Sequence, residues 1–490
     1  KKLVRSHNIK ISADYYSLFN NPDMRGWDNN IISSALYSDA DDLIQLFSFD
    51  TDLGSNFTIP SLSQYGFSDG DDITINGTPG NDTVSDRNDQ LTGSVFTIST
   101  YDGDDAISLG SALPEAHIID AGSGNDFVYV AVEDNTNYYL SYASIDGGDG
   151  SDWLHFSNTQ SDTPISYIIN DGNTSGFENV FAGYGDDNLT GDSNSNILVG
   201  GAGADILVGG DGADELYGYV NINPRGASDG NDNLSGGLGN DIIVGGAGDD
   251  TIIGGEGADV LTGDGGSKDS TGGYSDTDDY TRGGAKGVDT FVLQRGHGGA
   301  SESEADLIID FQDDTDLIGL NNGLLFSDLI IEQGSGNYLN DTIIKAGDEY
   351  LAVLQNFDAA NASVLDFSLM ATDPQTINGS NSDDTILGGA GGDILTTGQG
   401  LDIVLARGGD DDITVDGTGD KTIDGGSGSD TLSISYNSYV LSDFSLSYAN
   451  GYFHLTDPLD ATISFKNIET FSISGSSYKI IYDGTDGSTE

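Results

Sequence analysis

Cysteine is absent from the 490 residues, which removes disulfides as a staple and leaves metal clips as the natural substitute in an exposed protein. Basic residues are scarce: 16 Lys and Arg stand against 81 Asp and Glu, a formal charge of -65. A chain of that sign argues against nucleic acid and anionic membrane surfaces as direct partners, and it repels itself unless counter-ions are supplied. No stretch approaches the roughly 18–20 apolar residues of a membrane span, so none is expected. Lys1-Lys2-Leu3-Val4-Arg5 runs into Ser6-His7-Asn8 without the apolar core of a signal peptide. Lys1 stands where an initiator methionine would, which leaves room for a leader removed from the chain.

Catalytic signatures are missing too. His7, His117, His155, His297 and His454 are far apart, and no His-Glu-x-x-His zinc motif occurs. One G-x-S-x-G match, Gly226-Ala227-Ser228-Asp229-Gly230, puts Ser228 at a turn of a repeat and not between a strand and a helix. Chemistry by carboxylates alone, as in glycosidases, has no excluding motif, but nearly every clustered aspartate has another use, described next. The expectation is a protein with no catalytic residues and no enzyme activity.

What the chain has in excess is glycine, 71 residues, about twice the usual share. From Gly183 to Asp259 the frame G-G-x-G-x-D-x-U-x, U being a large apolar residue, recurs every nine residues. The sixth position falls at Asp187, Asn196, Asp205, Asp214, Asn223, Asp232, Asp241, Asp250 and Asp259. The eighth falls at Leu189, Leu198, Leu207, Leu216, Leu234, Ile243, Ile252 and Leu261. Glycines supply turns with φ > 0 and let backbone carbonyls approach an ion, and aspartate adds a hard carboxylate oxygen. The three residues after each turn form a short strand that sends the eighth side chain inward. Two nonapeptides complete one coil. Aspartates two units apart, such as Asp187 with Asp205 or Asp232 with Asp250, therefore stack on one edge and can share a calcium ion. If such turns bound nothing, the stacked carboxylates would repel one another.

This run resembles the repeats-in-toxin (RTX) family, whose calcium-binding nonapeptide it matches. The resemblance covers Gly183 to Leu261 and Ser382 to Leu432, with degenerate copies elsewhere. It implies an all-β fold of right-handed parallel β-roll (β-solenoid) segments with β-rich caps and extensions. It also implies type I export in an unfolded state, folding outside the cell on meeting Ca2+, and a secreted, extracellular or cell-surface location. The implied glycine positions of the metal turns are Gly183, Gly185, Gly201, Gly203, Gly210, Gly212, Gly230, Gly237, Gly239, Gly246, Gly248, Gly255 and Gly257. Asn196 and Asn223 depart from the aspartate rule. Arg225 takes an apolar place in the unit Gly218 to Gly226, so one coil is expected to open into a loop there.

Six regions follow. Residues 1–65 lack repeats and hold five of the basic residues, Lys1, Lys2, Arg5, Lys10 and Arg25; they read as a cap on the first coil or a docking arm. Residues 66–180 carry Gly-x-Asp turns at irregular distances, with Asp72, Asp82, Asp105, Asp126 and Asp152 as candidate ligands in a widened β-solenoid or sandwich-like extension. The main roll is 181–293 and closes with Asp289, after a polar insert from Asp264 to Arg282 that reads as a surface loop. A β-rich cap, 294–375, has strands around Leu329 to Ile331, Thr342 to Lys345 and Leu351 to Leu354. The second roll, 376–432, offers Asp384, Gly389, Gly391, Asp393, Gly400, Asp402, Gly409, Asp411, Gly426, Gly428 and Asp430. Its frame slips by one before Asp430, with Lys421 at the nine-residue offset, so its last coil is open to question. A C-terminal β cap is expected over 433–490.

One longer repeat links these regions. Ile145 to Leu154 matches Ile423 to Leu432, and each copy leads to a second landmark, Phe177-Glu178-Asn179-Val180 or Ile468-Glu469-Thr470-Phe471. The expected function is that of a secreted calcium-binding structural protein that self-associates as a surface-layer, adhesive-coat or filament subunit. The partners expected are calcium ions, further copies of the chain and a surface polysaccharide. The alternatives are an extracellular polysaccharide-modifying enzyme carrying RTX modules and a carbohydrate-binding adhesin, whose sugar face could be lined by the 23 Tyr, 19 Phe, Trp27 and Trp153.

Overall fold

The computed structural model describes the short strands Lys10–Ile11, Ile44–Phe49 and Thr58–Ile59, and residues 72–85, 95–109, 117–131, 144–157, 164–219, 230–264 and 287–479 apart from 437. Most of the N-terminal arm, the insert after Asp264, the segment with Asn223, Arg225 and Ser228, and the last residues lie outside the described ones. Regular structure among the described residues is strand, joined by turns and short 3-10 segments, with no α-helix. The architecture is a parallel β-roll with antiparallel caps. Contacts divide the chain into two units, residues 1–254 with 262–287, and residues 255–261 with 288–490.

In the first unit a period-two strand follows each Gly-Asp turn and pairs in parallel with its counterpart one coil away. One wall is a register line of Val84, Ile107, Val128, Leu154, Val180, Leu198, Leu216 and Ile243. All eight are fully buried. Opposite, Ile75, Ile98, Ile119 and Ile145 align in the extension, and Tyr167, at the end of the extension, aligns with Leu189, Leu207 and Leu234 of the main roll. The core is thus a seam fed by one inward side chain per strand and wall. Each Leu or Ile placed there contributes about 1.5–3 kcal/mol.

Coil length follows the spacing of turns. Asn188 pairs with Ile206, 18 residues on, whereas Ile206 pairs with Asn233 and Glu215 with Ile242, 27 residues on. The coil that carries the unit Gly218 to Gly226 is one nonapeptide longer than its neighbour. In the extension the partners Thr83, Ala106, Phe127, Trp153 and Asn179 are 21 to 26 residues apart, so the irregular turns widen the solenoid without breaking its walls.

In the second unit Asp306–Ile308 lies parallel to Glu349–Leu354, which continues as an antiparallel meander through Thr342–Ala346 to Leu329–Gln333. The second roll stacks Leu395, Ile413, Leu432 and Phe471 on one wall and Ile386, Val404, Ile423 and Phe465 on the other. Two antiparallel additions end it. Thr462–Lys466 turns back through Tyr452–Thr456 to Ser445–Ala449, and Thr470–Ile473 turns into Ser476–Lys479.

Candidate metal centre

Every sixth-position residue whose side chain is described, apart from Asp384, is withdrawn from solvent. Asp82, Asp105, Asp126, Asp152, Asp187, Asn196, Asp205, Asp214, Asp232, Asp241, Asp250, Asp259, Asp289, Asp393, Asp402, Asp411 and Asp430 are each at most 2% exposed. Asp384, in the first turn of the second roll, is half-buried, and the side chain of Asp72 is outside the described residues. Carboxylates are almost never buried to this degree without a partner. Part of the compensation is a ladder along each edge, in which one aspartate donates its backbone N–H to Oδ1 of the aspartate one coil further on.

On one edge of the main roll the ladder runs from Asp187 to Asp205, Asp232 and Asp250, with N···O distances of 2.8, 2.7 and 2.8 Å. On the other, the N–H of Asn196 reaches Asp214 and that of Asp214 reaches Asp241, both at 2.7 Å. The extension carries the same ladder from Asp82 through Asp105 and Asp126 to Asp152. In the second unit Asp393, Asp411 and Asp430 repeat it on one edge and Asp384 and Asp402 on the other. The pairs expected to stack, Asp187 with Asp205 and Asp232 with Asp250, are therefore adjacent rungs.

Oδ1 is satisfied by the ladder; Oδ2 is the informative atom. In Asp105, Asp126, Asp152, Asp187, Asp205, Asp214, Asp411 and Asp430 it is buried and accepts no hydrogen bond. An orphan carboxylate oxygen costs more than its share of a native fold normally tolerates. Burial, with neighbouring carboxylates adding to it, pushes Asp187 up to about 8 from its ordinary 3.8. The same cause pushes Asp105, Asp126, Asp205, Asp214, Asp250 and Asp411 up to about 7 and Asp152 to about 6. Ionising these carboxyls is therefore costly, and a cation beside Oδ2 would relieve that cost.

The glycines make the space. A Cβ on Gly200 would lie 2.1 Å from Oδ2 of Asp205, the carboxylate of its own turn. Gly200 is not at positive φ; its hydrogen is required because the aspartate folds back over it. Gly201 and Gly203 are at φ 119° and 127°, and a Cβ there would meet the carbonyl oxygens of Gly183 and Gly185 one coil away, at 2.1 and 2.2 Å. Gly389 and Gly391, expected to use φ > 0, do not; close approach of a neighbouring backbone is what excludes a side chain there, as it also does at Gly230. Turn carbonyls and buried Oδ2 atoms form a hard oxygen donor set that suits Ca2+. The aspartates and turn glycines named above are the residues that would hold it, and bound calcium would neutralise the edges.

Several members of the ladder escaped the sequence reading. Glu178 and Glu469 receive the N–H of Asp152 and Asp430 on Oε2, at 2.8 and 2.7 Å. The two landmark motifs are thus the points at which a glutamate takes over the rung from an aspartate. Their shared position after the repeated decapeptide was one available signal, and for Glu178 the nine-residue offset from Asp187 was another. Asp306 and Asp316 accept from Asp259 and Asp289 at 3.1 and 3.2 Å, and each precedes a Leu-Ile strand start without a glycine turn. His117, buried, accepts the N–H of Phe96 on Nδ1 at 2.9 Å, a neutral rung in the extension; burial lowers it to about 4. His155 lies against Phe181 with ring centroids 4.5 Å apart and against Tyr129 at 4.9 Å, a packing role.

The questioned last coil of the second roll is intact. Asp411 donates to Asp430 at 3.0 Å, and Asp402 pairs with Lys421 nineteen residues on, so the extra residue is absorbed in the turn.

The sequence model of the RTX calcium-binding nonapeptide repeat matches this chain four times, over residues 173–207, 190–219, 227–261 and 378–413. These are RTX repeats. The matches lie on the ladders of both rolls, and the repeats bind calcium, so the buried Oδ2 rows of the RTX segments are its candidate sites. The extension before residue 173 and the last coil of the second roll keep the ladder outside the matched segments. A search of curated proteins found no match. No helix among the described residues is long and apolar enough to cross a membrane.

Proposed function

We propose that this is a secreted, non-enzymatic structural protein that folds when calcium fills its ladders and then associates with further copies as a subunit of a surface layer, coat or filament. The carboxylate ladder carries the first half of this reading. Its buried Oδ2 atoms favour a state that is unstable at cytosolic calcium and stable outside the cell, where the millimolar ion fills sites of about 0.1–1 mM affinity.

The second half rests on an open edge. Ser445–Ala449 is the terminal strand of its sheet, and all five of its residues are exposed, including Leu446 and Tyr448. A strand with one open edge among the described residues is a template for another chain. The test is light scattering during a calcium titration, on the full chain and on Leu446→Lys with Tyr448→Lys. Ordered growth in the parent and a folded monomer in the variant support the reading. A monomeric parent at millimolar calcium, or turnover of a polysaccharide, overturns it.

A carbohydrate-binding adhesin is the second reading. The stacked, outward rings of Phe127 and Trp153, 6.1 Å apart and 5° from parallel, form a flat apolar surface that suits a sugar ring. Calcium-dependent glycan binding without assembly would favour it.

A further inference from the structure

Lys421 is 1% exposed, in a fold where the other sixth positions of the two rolls belong to aspartate or asparagine. It occupies that position in register: Asp402 pairs with Lys421, and a Cβ on Gly419 would meet the carbonyl oxygen of Gly400, the contact that the glycines of calcium-type turns make one coil apart. Its ammonium turns back into the preceding turn. There Nζ lies 2.8 Å from Oδ2 of Asp402, 2.7 Å from the carbonyl oxygen of Gly400 and 3.2 Å from that of Thr418. Neither side chain of the ion pair reaches solvent.

Those three oxygens are of the same kinds that the other turns offer an ion: a carboxylate Oδ2 and two turn carbonyls. In Asp205, Asp214 and Asp411 the equivalent Oδ2 has no hydrogen-bond partner; in Asp402 it has an ammonium. The Oδ1 atoms behave alike, since Asp402 accepts the N–H of Asp384 at 3.0 Å as Asp205 accepts that of Asp187. The difference is confined to the atom a cation would take.

We infer that Lys421 is a resident cation that fills one calcium position of the second roll, so that this rung closes without metal. The inference rests on the calcium reading of the other rungs but has its own failure point. The one-residue slip that brings Lys421 to the sixth position also moves Asp420 out of the ladder, where it accepts the exposed N–H of Thr462 at 2.7 Å. The carboxylate a calcium rung needs has been moved away and the charge it would bind has been built in. A buried ammonium with three oxygen partners is a satisfied group, whereas its loss strands the buried charge of Asp402.

The test counts calcium ions per chain at saturation by native mass spectrometry, in the full chain and in Lys421→Asp. The resident-cation reading expects Lys421→Asp to bind one ion more. An unchanged count, or a variant that fails to fold at any calcium concentration, overturns it, because an ion would then not replace the ammonium. Lys421→Met supplies a second readout. Its melting temperature should lie well below that of the parent at limiting calcium and approach it as calcium is raised. A deficit that does not change with calcium would make Lys421 a packing residue only. If the parent binds no calcium at all, the reading of the other rungs fails, and that outcome is distinct from an unchanged count in a parent that does bind.

Discussion

The main roll and the second roll use one backbone frame and two ways of neutralising it. In the main roll both edges carry buried carboxylates, with Asn196 as the one neutral rung among the described sixth positions. In the second roll one edge carries Asp393, Asp411 and Asp430, and the other passes from Asp384 and Asp402 to the ammonium of Lys421. The strands, seams and parallel register are otherwise alike. The lesson is that the coil is specified by glycine spacing and an inward apolar residue, whereas stability at a given pH is decided by what faces each Oδ2.

The largest effect that separates the two should come from removing calcium at pH 7.5. Each filled site adds roughly 1.4 kcal/mol when the ion is tenfold above its dissociation constant, and the main roll loses such a term on both edges. Hydrogen exchange during a chelator titration should show the amides of Ile206–Asp211 and Asn233–Leu238 exposed at higher free calcium than those of Asp402–Leu405 and Lys421–Asp424. Equal midpoints would remove the distinction between the rolls.

The next effect is a proton standing in for the ion. A carboxyl near 7 in the fold and 3.8 when unfolded binds more protons folded than unfolded between those values. Its contribution is therefore full below about pH 4 and lost as pH rises through about 7. His117, lowered to about 4 by burial, works the other way, since its contribution is lost as pH falls from 6.5 towards 4. The aspartates outnumber it. Calcium-free protein followed by circular dichroism should gain β-structure as pH is lowered from 8 to 5, and calcium affinity should rise over the same interval as pH is raised. Structure that is indifferent to pH in chelator would contradict the raised carboxyls.

A smaller, local effect is expected from Gly200→Ala, whose methyl would sit 2.1 Å from Oδ2 of Asp205. Overpacking of this kind typically costs about 1–3 kcal/mol, so the calcium midpoint of the main roll should rise while that of the second roll stays. The smallest is the gain from Asn196→Asp, which makes the neutral rung acidic. It should tighten calcium binding at that rung at pH 7.5 and destabilise the metal-free roll, a pair of opposite shifts that melting with and without chelator would resolve.

Much of this was legible in the sequence. Nine-residue spacing placed the inward seam correctly from Leu189 to Leu261, all fully buried, and picked out sixth-position aspartates that form the ladders among the described residues, such as Asp187, Asp205, Asp232 and Asp250. Three things were not legible. The first glycine of the motif looks like another turn residue, but Gly200 serves to make room for a side chain five positions later. Glu178 stands nine residues before Asp187, at the sixth position of a degenerate repeat where an aspartate was looked for, and Glu469 falls outside any nonapeptide; the paired strands show that both continue a rung. Lys421 reads as an error in the frame because a lysine is the wrong charge for a ligand; as a cation it is the right charge for the place of the ion.

The most direct test is to locate the metal. Crystals of the full chain grown in millimolar calcium, with anomalous scattering collected to find the ion, should show calcium against Oδ2 of Asp187, Asp205, Asp214 and Asp411 and none beside Asp402. Turns that stay empty at those four carboxylates would contradict the calcium ladder itself.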